Sequence, residues 1–225
     1  MHSSISIEPI ILASASPRRK ELLESYRIPF KVFPSSIDEP EINNNILPAA
    51  LALESALVKA LSVSLKFPGG IILGADTLVS CENRILGKPE SPEKAREMLM
   101  LLRDRWHSVY TGVAIIDTNT KFKIYKVCES KVKFKPLTTT RINEYIESGE
   151  PLDKAGAYGI QGKGGEIVDK VIGSFTNVVG LPMECVINMF CSVKPEFRFF
   201  LGNNSKASST RSSNKINLEQ KVLNI

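Results

Sequence analysis

Three features of the sequence predict an α/β fold. A short apolar run at residues 10–13, bounded by small residues, leads straight into helical spacing at Leu22, Leu23 and Tyr26 beyond Pro17. Extended and helical stretches then go on alternating along the chain. At 225 residues and 43% hydrophobic content, without an internal repeat, the chain is long enough for one sizeable core.

Taken in order, Phe30 and Val32 alternate as a second strand, followed by an acidic loop with Asp38, Glu39 and Glu41. Leu47, Ala50, Leu51, Leu57 and Leu61 recur at helical spacing until Pro68-Gly69-Gly70 breaks the pattern. Residues 71–73 read as a buried strand that ends at Gly74-Ala75-Asp76-Thr77. A hairpin across Glu82-Asn83 comes next, then a helix opened by Ser91 as N-cap and Pro92 at its first position. Residues 108–134 read as two long strands turning at Asp117-Thr118-Asn119. A helix over 139–148 stops at Gly149, and the segment 150–165, with five glycines, reads as a long structured loop. Strand material near Ile167 and Val178 precedes a last helix over 182–190.

The net charge of +5 invites a nucleic-acid reading, but its location argues against one. From Ser192 onward there are six Lys/Arg against two acids, so all but about one unit of the excess lies in that Ser/Asn-rich stretch. The expected organisation is a folded unit over 1–192 and a basic, disordered tail over 193–225. Cys81, Cys128, Cys185 and Cys191 lack CxxC spacing, and His2 and His107 lack zinc-ligand spacing from them, so reduced thiols in a cytoplasmic core are expected. No apolar run reaches the roughly 18 to 20 residues of a membrane span, and the N-terminus lacks the pattern of a signal peptide.

Four groups of residues carry candidate chemistry. Ser14-Ala15-Ser16-Pro17-Arg18-Arg19 stands at a strand-to-helix turn, where free N–H groups, the positive end of the helix and two arginines can cradle phosphate; an ordinary capped helix with solvated arginines fits equally well. Asp76 follows an apolar run, where a carboxylate can hold a divalent cation or accept a proton from water, although an isolated Gly-x-Asp-Thr reads first as a turn. Lys59 and Lys88 can neutralise phosphate or simply be surface lysines, and Glu39 with its acidic neighbours can add oxygen ligands for Mg²⁺ or be a solvated loop. Gln161, set between glycines, can donate and accept along the edge of uracil or thymine; an exposed glycine-rich turn is the plainer alternative.

Taken together, Leu12-Ala-Ser-Ala-Ser-Pro-Arg-Arg19, Leu73-Gly-Ala-Asp-Thr-Leu-Val79, Gly87-Lys-Pro89, Pro151-Leu-Asp-Lys-Ala-Gly-Ala-Tyr-Gly-Ile-Gln-Gly162 and Val178-Val-Gly-Leu-Pro182 closely resemble the Maf family of nucleotide pyrophosphatases. The resemblance covers roughly residues 9–190 and leaves out the tail. It implies an elongated, two-lobed mixed sheet flanked by helices with a central cleft, similar to inosine triphosphate pyrophosphatases. It further implies hydrolysis of a nucleoside triphosphate to the monophosphate and pyrophosphate, with a divalent cation such as Mg, Mn or Co. Position by position, Asp76 matches the proton acceptor, while Arg18, Thr77 and Gln161 match the specificity positions. Ser14, Arg19, Lys59 and Lys88 match phosphate-lining residues, and Glu39 and Asp76 the metal region. Arg18 together with Gln161 looks like the branch preferring dTTP and UTP; the sister branch handling 7-methyl-GTP is the nearest competitor, and relatives have also been linked to septum control. A homodimer is implied as well.

Overall fold

A computed structural model describes residues 7–37 and 45–198. The strands are β1 (Ile10–Leu12), β2 (Phe30–Val32), β3 (Ile71–Cys81), β4 (Arg84–Leu86), β5 (Trp106–Asp117), β6 (Lys123–Phe134) and β7 (Val168–Ile172). They form one mixed sheet in the order β2-β1-β3-β5-β6-β7, with β4 paired to β3. β1 runs parallel to both β2 and β3, and the remaining pairs are antiparallel. The helices are α1 (Pro17–Ser25), α2 (Pro48–Ser64), α3 (Pro92–Leu102), α4 (Thr139–Glu147), α5 (Phe175–Val179) and α6 (Met183–Val193). None of the described helices is long and apolar enough to cross a membrane.

Alternation along β3 and β5 divides the sheet into two differently used faces. On one face, Leu73 and Ala75 of β3 and Val113 and Ile115 of β5 join Leu23, Leu181, Met183 and Phe190 in a first core. Further along the same face, Val79 and Val109 join Val132, Phe134, Leu99, Leu102, Ile142 and Tyr145 in a second core. Between the two cores the same face carries Thr77 and Thr111, which stand opposite one another in the β3–β5 register. This polar seam separates the two lobes. The other face is covered by α2, whose Ala56 and Ala60 pack on Ile72 and Ala114.

The contact between α2 and the sheet is unusually close because β3 and β5 offer it two glycines. A Cβ at Gly74 would lie 2.3 Å from the Ala56 carbonyl oxygen, and one at Gly112 would lie 2.1 Å from that of Ala52. The sequence suggests that Gly74 ends the strand; instead β3 continues through it for eleven residues. Gly74 makes room for a helix rather than breaking a strand, so Asp76 lies in mid-strand and not at a strand's C-terminal end.

Most boundaries follow the sequence signals. Ser91 accepts a bond from Lys94 N to cap α3, with Pro92 at the first position, and Gly149 takes a left-handed φ of 73° after α4. Glu82 and Asn83 both have positive φ, as a two-residue hairpin between β3 and β4 requires. Val178 differs from expectation. It lies in α5, not in a strand, because Ser174 accepts a bond from Asn177 N and starts a helical turn that a short apolar run cannot reveal. Phe197, in the stretch assigned to the tail, is buried and stacks on Phe190 at 4.9 Å. Residues 199–225 lie outside those described, so the expectation of a disordered tail stays untouched.

Two stability measurements check this packing. Gly112→Ala is expected to cost about 1–3 kcal/mol in urea unfolding, because α2 must lift to clear the new methyl group. Gly69→Ala, whose added carbon meets only the Asn119 side chain at 3.1 Å, is expected to stay within about 0.5 kcal/mol of the parent.

Candidate functional site

β3 is paired with β5 along its length, but its other edge is paired only at the ends. β1 reaches as far as the bond from Ala13 N to Leu73 O, and β4 begins opposite Val79. Between these points no strand among the described residues pairs with the edge, and a cleft of about 620 Å³ lies there, within the range of small-molecule sites. Because the strand alternates, side chains from both of its faces reach the gap. Asp76 does so from the α2 side and Thr77 from the side of the polar seam.

Asp76 is 8% exposed and lines the cleft. Lys59 Nζ donates to its Oδ1 at 2.6 Å, and both side chains are 11% exposed. The pairing follows from the close seat of α2. Ala52, Ala56 and Ala60 face the sheet, while Leu51, Ser55 and Lys59, also four residues apart, line the cleft. No hydrogen bond to Asp76 Oδ2 is made among the described residues, which leaves that oxygen to meet a water or a cation.

Across the cleft stands the turn from β1 into α1. Pro17 occupies the first position of the helix, and Ser16 precedes it without a side-chain capping bond. Ser14 Oγ accepts from Ser16 N at 3.3 Å and from Arg19 Nη1 at 2.8 Å. Arg19 is buried and also donates from Nε to Gly180 O at 2.8 Å and from Nη2 to Thr77 Oγ1 at 3.1 Å. Arg19 therefore ties the turn to β3 and to the α5–α6 connection. A guanidinium presents its donors in a fixed fork, so these bonds also fix its orientation.

The two arginines have separate tasks. Arg18 is half-buried and lines the cleft. Burial alone would raise the pKa of Asp153, but the Lys154 hydrogen bond and the charges of Lys154 and Arg18 outweigh it and hold the carboxyl below its usual range. Arg18 likewise acts against the burial that raises the Tyr145 phenol. It thus reaches toward the second lobe. Lys88 is exposed at the cleft edge, and Thr77 is held by Arg19 and by Thr111 Oγ1 at 3.0 Å.

Ser14, Arg18, Arg19, Lys59, Asp76, Thr77 and Lys88 meet around one cavity. Gln161 does not line it; its side chain is exposed, in line with the plainer reading of that loop. Glu39 lies outside the described residues. The sequence reading did not single out Asp153, Ser55 or Tyr158, all of which line the cleft. The spacing of Leu51, Ser55 and Lys59 on one side of α2 was the available signal for Ser55. Tyr158 is buried, and its hydroxyl meets His107 Nε2 at 2.8 Å, with both rings edge-on to Phe134.

The fold and this cleft define a two-lobed α/β protein that sets the carboxylates of Asp76 and Asp153 among several converging cations, a site suited to a small phosphorylated ligand. The chain belongs to the Maf family, whose "Maf-like protein" model matches residues 9–193. It is 48% identical to a dTTP/UTP pyrophosphatase of Moorella thermoacetica, over 77% of this chain and 89% of that one. Proteins with the same name from Alkaliphilus oremlandii and Bacillus cereus are 49% and 48% identical, over 79% of this chain and 92% and 91% of theirs. Among solved structures, the Staphylococcus aureus Ham1 protein superposes with a TM-score of 0.39 at 12% identity, over 56% of this chain and 72% of that one.

His107, behind Tyr158, gives the second lobe a pH dependence. Burial pushes the imidazole from 6.5 down to about 4. The unfolded chain takes up this proton as the pH falls through 6.5 while the folded chain resists it, so the stabilisation present above pH 6.5 drains away between 6.5 and 4. The loss is up to about 3 kcal/mol. Urea midpoints measured across that window should fall less steeply for His107→Gln than for the parent.

Proposed function

We propose that this chain hydrolyses dTTP and UTP between the α- and β-phosphates, releasing the nucleoside monophosphate and pyrophosphate. The observation that carries the reading is the placement of the Asp76 carboxylate, held by Lys59, across a cleft from the arginine-bearing turn of α1. The three dTTP/UTP pyrophosphatases, similar to this chain over most of their lengths, support the choice of substrate.

In this reading the triphosphate lies along the turn, where Arg19, Lys59, Lys88 and the start of α1 offset its charge. A water beside Asp76 attacks the α-phosphorus. The new P–O bond forms as the bond to the bridging oxygen breaks; the water's proton passes to Asp76 Oδ2, and pyrophosphate leaves with the electron pair of the broken bond. Arg19 also keeps Ser14 and Thr77 in register. Arg18, Thr77 and Gln161 read the base.

The donor set fits a divalent cation that arrives on the triphosphate. The described residues contain no group of three His, Cys, Asp or Glu able to cage a metal, whereas Mg²⁺ commonly takes one or two carboxylates and completes its shell with phosphate oxygens and water. Asp76, with Glu39, would hold it, and Mg, Mn or Co would serve. Such an ion supplies charge neutralisation and polarisation of the phosphoryl oxygens. A homodimer in the cytoplasm, acting on nucleotides and not on nucleic acid or membranes, completes the proposal.

The test is a panel of UTP, dTTP, CTP, GTP and 7-methyl-GTP with Mg²⁺, Mn²⁺ or Co²⁺, scored separately for pyrophosphate and orthophosphate. Pyrophosphate from UTP and dTTP is expected, with kcat about a thousandfold lower for Asp76→Asn. Orthophosphate as first product would overturn the reaction, and a preference for 7-methyl-GTP would overturn the substrate.

A further inference from the structure

The loop that carries Gln161 is fastened by an acid to which no role has yet been assigned. Glu150 stands just after Gly149, at the start of a single 3-10 turn, Glu150–Asp153. Its carboxylate accepts three hydrogen bonds: from Tyr145 Oη to Oε1 at 2.9 Å, from Lys163 N to Oε2 at 2.9 Å, and from Gly164 N to Oε1 at 3.2 Å. Tyr145 Oη in turn accepts from Gly159 N at 3.1 Å. The chain is therefore pinned on both sides of Gln161, two residues before it at Gly159 and two residues after it at Lys163.

The glycines show how tightly the loop wraps this acid. A Cβ at Gly162 would lie 2.5 Å from Glu150 Oε2, and one at Gly164 would lie 2.5 Å from Tyr145 Oη. Gly162 and Gly164, which follow Gln161, thus bring backbone onto a carboxylate and a phenol, and they are not there merely to loosen a turn. Because the side chain of Gln161 is exposed, packing does not fix its position. Its backbone anchors do. The latch adjoins the cleft, because Asp153, at the end of the turn that Glu150 starts, lines it together with Ala155, Tyr158 and Arg18.

We propose that Glu150 is a positioning residue for base discrimination: it presents Gln161, through the backbone bonds on either side of it, to the end of the cleft that Arg18 occupies. This rests on the reading of Gln161 as a base-contacting residue. Replacing the carboxylate by an amide of the same shape turns one acceptor into a donor, which then faces a backbone N–H already pointing at it. The loop should let go while α4 and the second core stay packed.

The experiment compares Glu150→Gln, Tyr145→Phe, Gln161→Ala and the double variant Glu150→Gln/Gln161→Ala in the full chain. Steady-state kcat and KM are measured with UTP and CTP, and thermal midpoints are taken in parallel. Glu150→Gln should lower the UTP:CTP ratio of kcat/KM about tenfold, mainly through KM for UTP, and should add nothing to the ratio in the Gln161→Ala background. Tyr145→Phe, which keeps the carboxylate, should act in the same direction with a smaller change, and it stands in if the glutamine variant does not fold. A ratio unchanged by Glu150→Gln while Gln161→Ala lowers it would overturn the proposal alone, as would equal losses of kcat with both substrates. A ratio unchanged by Gln161→Ala would overturn both the proposal and the reading beneath it.

Discussion

Everything in this molecule follows from one strand with one complete edge and one interrupted edge. β3 is bonded to β5 throughout, so it is held in place even where β1 has ended and β4 has not begun. A strand edge in this state normally invites pairing with another chain. Here α1, α2 and the connection into α6 surround the gap and turn it into a cleft. The alternation of the strand then delivers two neighbouring residues, Asp76 and Thr77, to the same opening from opposite faces. One belongs to the charged system with α2, the other to the hydrogen-bonded seam between the lobes.

Each side of that opening is fixed by a different physical means. On the α2 side the means is steric: glycines at 74 and 112 let the alanine stripe of the helix lie on bare backbone, which brings Lys59 to Asp76 at 2.6 Å. On the other side it is a hydrogen-bond fork, in which Arg19 links Ser14, Thr77 and Gly180. A buried cation used in this way costs solvation that its bonds offset, and in return the loop, the strand and the helix connection keep a common register. Arg18, one residue earlier, is half-buried at the cleft. Adjacent, chemically identical side chains thus meet different surroundings, a distinction set by which side of α1 each one leaves.

Much of the fold could be read from the sequence because it depends on local signals. Ser91-Pro92, Gly149 and Glu82-Asn83 mark their elements by mechanisms that act over a few residues. The misreadings arose where a local signal had a distant cause. Gly74 looked like a break, since the helix that requires it is more than ten residues away in sequence. Val178 lay in an apolar stretch whose helical turn depends on a cap four residues earlier. The site was legible as a set of residues, through the resemblance of its motifs, but the division of labour between Arg18 and Arg19 was not, because only the fold decides which of them faces inward. Gln161 is the remaining case: the sequence names it, and the fold accounts for its anchors before it accounts for its side chain.

The central claim is that the triphosphate lies between the α1 turn and Asp76, with the base toward the second lobe. The most direct measurement is a crystal structure of the full chain with Mg²⁺ and a UTP analogue carrying a methylene group between the α- and β-phosphates. Phosphate oxygens are expected at hydrogen-bond distance, about 3 Å, from the first turn of α1, with the α-phosphorus beside Asp76 and the uracil toward Arg18 and Gln161. Phosphates bound at the Tyr158 end, or a nucleotide seated away from the open edge of β3, would contradict it.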